Sequence, residues 1–208
     1  MLKKVVVIGP ESTGKTTLCR QLAAHFRTQW CPEFAREYLL EHGMDYRYDD
    51  LLIIARGQAA LEEKYTSGIQ HPASSIQYPA SSIQHPASSI QHPASSIQLP
   101  TSNNHPLLFI DTDMYVMKIW CEFVFGKCHQ FILDQIAARK YDLYLLCNID
   151  LPWIKDELRE YPDIERRKQL YYIYKQTMMQ QSTPWIDISG SYDERLQKAI
   201  AGVVNMLD

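Results

Sequence analysis

An α/β fold, with a parallel sheet of about five strands covered by helices on both faces, is what this sequence predicts, and three observations carry it. Short apolar runs recur at 5–8, 107–110, 143–146 and 185–188, with a weaker extended piece at 29–31. Between them lie longer stretches with apolar residues at three- and four-residue spacing, the mark of helices packed on a sheet. The first run leads directly into G-P-E-S-T-G-K-T at residues 9–16. Strand, glycine-bearing loop and helix in that order define the P-loop NTPase class, here of the nucleoside- and nucleotide-kinase-like kind.

The loop motif fits a triphosphate for physical reasons. Glycines let the backbone turn its N–H groups inward, and the helix that follows offers its positive end to the same anion. Lys15 is placed to reach the β and γ phosphates and Thr16 to ligate Mg²⁺ through its hydroxyl. Gly9, Glu11, Ser12, Thr13, Gly14, Lys15, Thr16 and Thr17 are therefore the predicted ATP-binding residues.

Along the chain, Leu18, Leu22 and Phe26 recur every four residues and predict the first helix. Pro32 suits the first turn of a second helix over 33–40, where a missing N–H costs nothing. That puts Glu33 at the mouth of a strand. Asp49 and Asp50 cap a third helix from Leu51 to about Tyr65, with Glu62 or Glu63 on its wet side and a Gly57 that suits either a close helix contact or a ligand contact. Val116, Ile119, Trp120, Phe123 and Val124 predict a buried helical face ending near Gly126. From 153 to about 180 the chain reads as charged and helical. Ser191 and Glu194 form a capping-box pattern ahead of a closing helix with Leu196, Ile200, Val203 and Leu207.

Residues 71–98 are four near-copies of a seven-residue unit, H/Y-P-A-S-S-I-Q. Proline in every copy forbids a coiled coil, and one Ile per unit is too little apolar surface to offset ordering. Residues 67–105 are expected to be a disordered or loosely extended surface insertion. The histidines at 71, 85 and 92 travel with the copied unit and are not read as metal ligands.

The single domain expected from 208 residues is 46% hydrophobic and 22% charged, with a formal charge of −3, so nothing favours polymeric nucleic acid. No run of about 18 apolar residues occurs, and the short apolar start does not fit a signal peptide, so a cytoplasmic protein without a membrane partner is expected. Five cysteines without a C-x-x-C pair read as reduced, mostly buried thiols.

All the acidic candidates fall at the carboxyl ends of the strands, where ligands bind in such folds. Asp111, ending an apolar strand, is the natural partner of Thr16 for Mg²⁺. Thr112 and Asp113 suit the capping of the next helix better. Glu33 faces the same edge, as a carboxylate that accepts a proton from an attacking hydroxyl must, or as an ordinary helix-start acid. Arginines after the fourth strand, at 159, 166 and 167, are placed for a lid over 151–180, with Arg159 favoured. The segment 187–192 is expected near the nucleotide base.

Taken together, G-P-E-S-T-G-K-T at 9–16, P-E-F-A-R-E at 32–37, A-R-G-Q at 55–58, F-I-D-T-D at 109–113, F-G-K at 125–127 and P-W-I-K-D-E-L-R at 152–159 resemble the ribosylnicotinamide kinase domain of NadR-type proteins. The resemblance spans the chain apart from the repeat. It implies ATP-dependent phosphorylation of the 5′-hydroxyl of nicotinamide riboside, with Lys15, Glu33, Asp111 and Arg159 in catalysis. It also implies Glu33, Arg36, Asp113 and Trp120 at the nucleoside, Thr16 and Asp111 at Mg²⁺, and 153–159 as the lid. A pyridinium cation favours aromatic faces, for which Phe34, Trp30, Tyr115 and Trp120 are candidates.

The chain departs from the family pattern at Pro32, which stands where some members carry an aromatic, and at Glu157, which replaces a lid glycine. Neither a helix-turn-helix nor an H-x-G-H adenylyltransferase motif is found, so another enzyme is expected to complete NAD synthesis. Two other readings fit the same residues: a kinase for another nucleoside or small alcohol, and a nucleotide-gated regulatory module.

Overall fold

The structure, a computed structural model, describes residues 1–70, 106–154, 158 and 161–208. Strands β1 (Lys3–Ile8), β2 (Gln29–Cys31), β3 (Leu107–Asp111), β4 (Leu143–Cys147) and β5 (Trp185–Ile188) form one parallel sheet in the order β2-β3-β1-β4-β5. The five-strand P-loop architecture expected from the sequence is thus the one observed. Helices α1 (Lys15–Phe26), α2 (Phe34–His42), α3 (Tyr48–Gln70), α4 (Met114–Phe125), α5 (Gln130–Ala138), α6 (Ile164–Gln180) and α7 (Tyr192–Leu207) complete the element order.

The strands are apolar at successive positions because both faces are covered. Val5 and Val7 pack with Leu18, Leu22, Ala199 and Val203 of α1 and α7. Val6 and Ile8 pack with Ile119, Leu170, Tyr174 and Met178 of α4 and α6. A satellite core joins Ala35, Leu51, Ile54, Met117 and Ile132 from α2 to α5.

Several boundaries differ from the sequence reading. Helix α3 continues to Gln70, so 67–70 are helical rather than part of the insertion, while 71–105 lie outside the described residues. Helix α6 starts only at Ile164, and the described residues of 151–163 are not helical. Helix α5, with only Ile132 fully buried, was not read at all. Pro32 precedes α2, whose N-cap is Glu33. On α7 the deeply buried face is Arg195, Ala199, Gly202 and Val203, beside the larger apolar residues that mark the stripe in sequence. Gly57 is explained by packing: an added Cβ would meet the Phe34 ring at 2.2 Å.

The amino edge of the sheet is tied by ion pairs. Glu62, only 1% exposed, accepts from Lys4 Nζ at 3.0 Å and from the Tyr141 hydroxyl at 2.8 Å, and pairs with Arg139 Nη1 at 2.7 Å. Its placement on a wet face was therefore wrong, because two cations and a phenol satisfy it in the interior. Lys3 pairs with Asp142 at 2.9 Å, and the Lys3 N–H donates to the Pro106 carbonyl at 2.8 Å. Pro106, the first described residue after 71–105, therefore lies at this edge, opposite the phosphate loop.

All five cysteines are free, and no described helix is long and apolar enough to cross a membrane. Replacing Glu62 by Gln leaves Lys4 and Arg139 without their anion and is expected to cost about 3 kcal/mol in chemical denaturation. Deleting 71–98 is expected to leave the melting temperature within a few degrees of wild type by calorimetry, since the ends of the removed segment join away from the cleft.

Candidate active site

Loop formation at the carboxyl end of β1 depends on backbone shapes that few residues adopt. Gly9 has φ 140°, and a Cβ there would sit 2.7 Å from the Cys147 carbonyl oxygen; Gly14 has φ 81°. Ser12 adopts φ 57°, a left-handed conformation uncommon outside glycine. Within the turn, the Thr13 hydroxyl and Lys15 Nζ donate to the Pro10 carbonyl at 2.7 and 2.9 Å. Gly9, Glu11, Ser12, Thr13, Gly14, Lys15, Thr16 and Thr17 all line one cleft.

Thr16 and Asp111 meet as expected: the Thr16 hydroxyl donates to Asp111 Oδ2 at 2.5 Å. Asp111 is fully buried at the end of β3, and its Oδ1 has no hydrogen-bond partner. Burial and the nearby Glu33 charge push its carboxyl up to about 7, against the pull of Lys15 and Thr16. A buried carboxylate oxygen without a donor, beside a hydroxyl and crowded by a second carboxylate, suits a hard divalent cation. Among the described residues no set of three or more His, Cys, Asp or Glu could hold a metal, so such an ion would draw on this pair, phosphate oxygens and water.

The same cleft is lined by Glu33, Ala35, Arg36 and Leu39 of the β2–α2 region and by Met44. The Thr112 hydroxyl reaches Glu33 Oε1 at a long 3.4 Å, from a residue held at φ 75°. A β-branched residue at positive φ is a strained one, and it directs this hydroxyl toward Glu33. The far wall is apolar and aromatic, from Val116, Ile119, Trp120 and Phe123 of α4, Leu158, Tyr161, and Leu170 and Tyr174 of α6. Trp120 is oriented by its indole N–H, which donates to the Tyr46 hydroxyl at 2.9 Å.

Asp113 is elsewhere. It caps α4 through Oδ1, accepting from the Tyr115 and Val116 N–H groups at 3.0 and 3.3 Å, and its Oδ2 accepts from the buried Tyr144 hydroxyl at 2.7 Å. With 1% exposure and no place in the cleft lining, it does not fit the nucleoside-contacting role that the resemblance implied. Burial raises its carboxyl to about 6 despite those donors.

The aromatic candidates also sort themselves. Phe34 packs on Gly57, Trp30 against the α1–α7 core, and Tyr115 edge-on to Tyr144. Trp120 alone of the four lines the cleft, joined by Phe123, Tyr161 and Tyr174.

Loop side chains reach the lid segment as well. Ser12 Oγ accepts from the Ile154 N–H at 3.0 Å, and Glu11 Oε1 accepts from the Tyr161 N–H. Tyr161 in turn packs edge-on against Phe123 at 5.6 Å. Arg167 is a core residue at 3% exposure, donating to the Leu151 carbonyl at 3.3 Å, and Arg166 lies over the Tyr161 ring at 5.7 Å. Arg159 and Glu157 lie outside the described residues.

A functional residue that the sequence did not disclose is Arg195. Its guanidinium lies beneath the phosphate loop at 3% exposure and donates to the Thr13 carbonyl at 2.8 Å. No local signal singles it out in the sequence beyond its place on the buried face of the closing helix.

This geometry has known counterparts. The model of a family described as "AAA domain" matches residues 4–195. The chain belongs to that family.

Within it, the chain is similar to the trifunctional NAD biosynthesis/regulator protein NadR of Salmonella typhimurium and of Escherichia coli, 24% identical to each over 214 residues. Those alignments cover 99% of this AAA-domain chain but 43% of each NadR. The chain thus spans less than half the length of the curated relatives it matches. Among solved structures, a NadR protein in complex with NR superposes with TM-score 0.68 at 20% identity, covering 99% of this chain and 49% of that one. A NadR protein in complex with NAD and AMP-PNP gives 0.63 at 19%, with the same coverage. Thymidylate kinase from Ehrlichia chaffeensis gives 0.58 at 13% identity, covering 100% and 99%. These structures establish the shared P-loop fold.

Replacing Asp113 by Asn keeps the α4 cap but removes the anionic acceptor of Tyr144. Stability is expected to fall by about 1–3 kcal/mol, while nucleotide affinity measured by calorimetry stays within about twofold.

Proposed function

We propose that this AAA-domain protein transfers the γ-phosphoryl group of ATP to the 5′-hydroxyl of nicotinamide riboside, giving nicotinamide mononucleotide and ADP in NAD salvage. One observation carries the transfer chemistry: Glu33 lines the same cleft as Lys15 and Thr16. The choice of nucleoside rests on the likeness to NadR, one structure of which holds NR.

Phosphoryl transfer is mostly positioning and charge neutralisation. In this reading the Gly9–Thr16 turn holds the donor phosphates by backbone N–H groups, and Lys15 leaves the Pro10 carbonyl to neutralise the β and γ oxygens. Glu33 takes the proton of the acceptor hydroxyl as its oxygen bonds to the γ phosphorus. The bond to the β-bridging oxygen breaks, and its electron pair leaves with ADP. Thr16 and Asp111 would hold Mg²⁺, which would supply positive charge to the donor phosphates.

The acceptor wall suits a flat cation. Trp120, Phe123 and Tyr161 offer aromatic surface, and Glu33 offers a carboxylate within the same cleft. Arg36 on the first turn of α2 stands where it can meet sugar hydroxyls.

The test is ADP release with Mg²⁺-ATP and a nucleoside panel. Nicotinamide riboside is expected to be the preferred acceptor. Glu33→Gln should lower kcat by about 10²–10⁴ with little change in ATP KM, and Lys15→Ala should abolish turnover. Absence of nucleoside-dependent ADP release would rule out a kinase, and equal rates on uridine would rule out the nicotinamide assignment.

A further inference from the structure

A phosphate loop that turns its N–H groups toward the cleft must turn carbonyls away from it. In a planar trans peptide the C=O of one residue and the N–H of the next point in opposite directions. The Thr13 carbonyl faces the protein interior, so the Gly14 N–H is directed to the cleft that Gly14 lines. Whatever holds the Thr13 oxygen therefore aims a phosphate-binding donor.

Arg195 Nη1 holds it, at 2.8 Å, from the first turn of α7. The same guanidinium is engaged on its other nitrogens. Nη2 donates to the Asn148 carbonyl at 2.8 Å and to Asp150 Oδ1, and Nε donates to the Gly190 carbonyl at 2.9 Å. Asp150 Oδ2 closes the ring by accepting from the Gly190 N–H at 2.6 Å. One buried cation thus joins the loop after β1, the exit of β4 that leads to the lid, and the turn after β5.

We infer that Arg195 is a positioning residue for the nucleotide, fixing the peptide between Thr13 and Gly14 so that its N–H faces the donor phosphates. This rests on the phosphate-loop reading above. A displacement of about 1 Å in a positioning group costs on the order of 10²-fold in rate, and the planar fork of arginine holds three segments in register where an ammonium cannot. The pair with Asp150 offsets burial of the charge, so the clamp does not depend on a bound anion.

The experiment separates aiming from mere stability. AMP-PNP with Mg²⁺ is titrated by calorimetry into wild type, Arg195→Lys, Asp150→Asn and Val203→Ala. The last loses core volume on the same helix without touching the clamp. Arg195→Lys is expected to weaken AMP-PNP by about tenfold or more, and Val203→Ala, at an equal or larger loss of melting temperature, to bind as wild type. Asp150→Asn is expected to weaken it by about fivefold and decides the matter if Arg195→Lys does not fold. In turnover, Arg195→Lys should raise ATP KM while the acceptor KM stays near wild type. Wild-type affinity in the folded clamp variants, or an equal loss in Val203→Ala, would overturn the inference alone. Failure of the wild type to bind AMP-PNP would overturn it together with the phosphate-loop reading.

Discussion

Every backbone amide that a loop turns toward an anion leaves a carbonyl facing the other way, and a buried carbonyl needs a donor. At 9–16 this requirement is met from two directions: the Pro10 oxygen within the turn by Thr13 and Lys15, and the Thr13 oxygen by Arg195 from the far end of the chain. A separate constraint is the close approach of Gly9 to Cys147, which leaves no space for a side chain. The acid after β4 is tied to the Arg195 guanidinium as well, since Asp150 pairs with it and accepts from the Gly190 N–H. The sheet order puts β1 between β3 and β4, so Asp111 on one side and Asp150 on the other flank the loop.

Much of this was legible in the sequence because the signals are local. A buried parallel strand is an unbroken apolar run, and a phosphate loop is a fixed spacing of glycines, so β1, β3, β4 and the Thr16–Asp111 contact could be read directly. What could not be read depended on partners distant in sequence. Glu62 reads as solvated until Lys4 and Arg139 are seen on either side of it. Arg167 reads as a lid cation until the Leu151 carbonyl is found at the end of its side chain, and nothing local singles out Arg195, which meets the Thr13 carbonyl. Asp111 and Asp113 are told apart in the sequence as a metal partner and a helix cap, but the Tyr144 hydroxyl that meets Asp113 beneath α4 comes from a distant strand.

The acceptor side shows the same division. Glu33 was found because it follows a strand closely, but the rest of the lining comes from α4, α6 and Tyr161, elements joined only by folding. Their aromatic residues carry no motif of their own. Tyr161 packs its ring on Phe123 while its N–H meets Glu11, so one residue of the segment after β4 joins α4 to the phosphate loop.

The sheet has two edges with opposite duties, about 17 Å apart along β1. Seven-residue units are inserted in frame whenever their coding block is copied or lost, and the described chain resumes after them at Pro106, beside Lys3 and away from the phosphate loop. Doubling such a connection raises its closure cost by only about 0.6 kcal/mol. The amino edge is thus a place where a lineage can change the length of its chain in whole steps while selection on the opposite edge continues undisturbed.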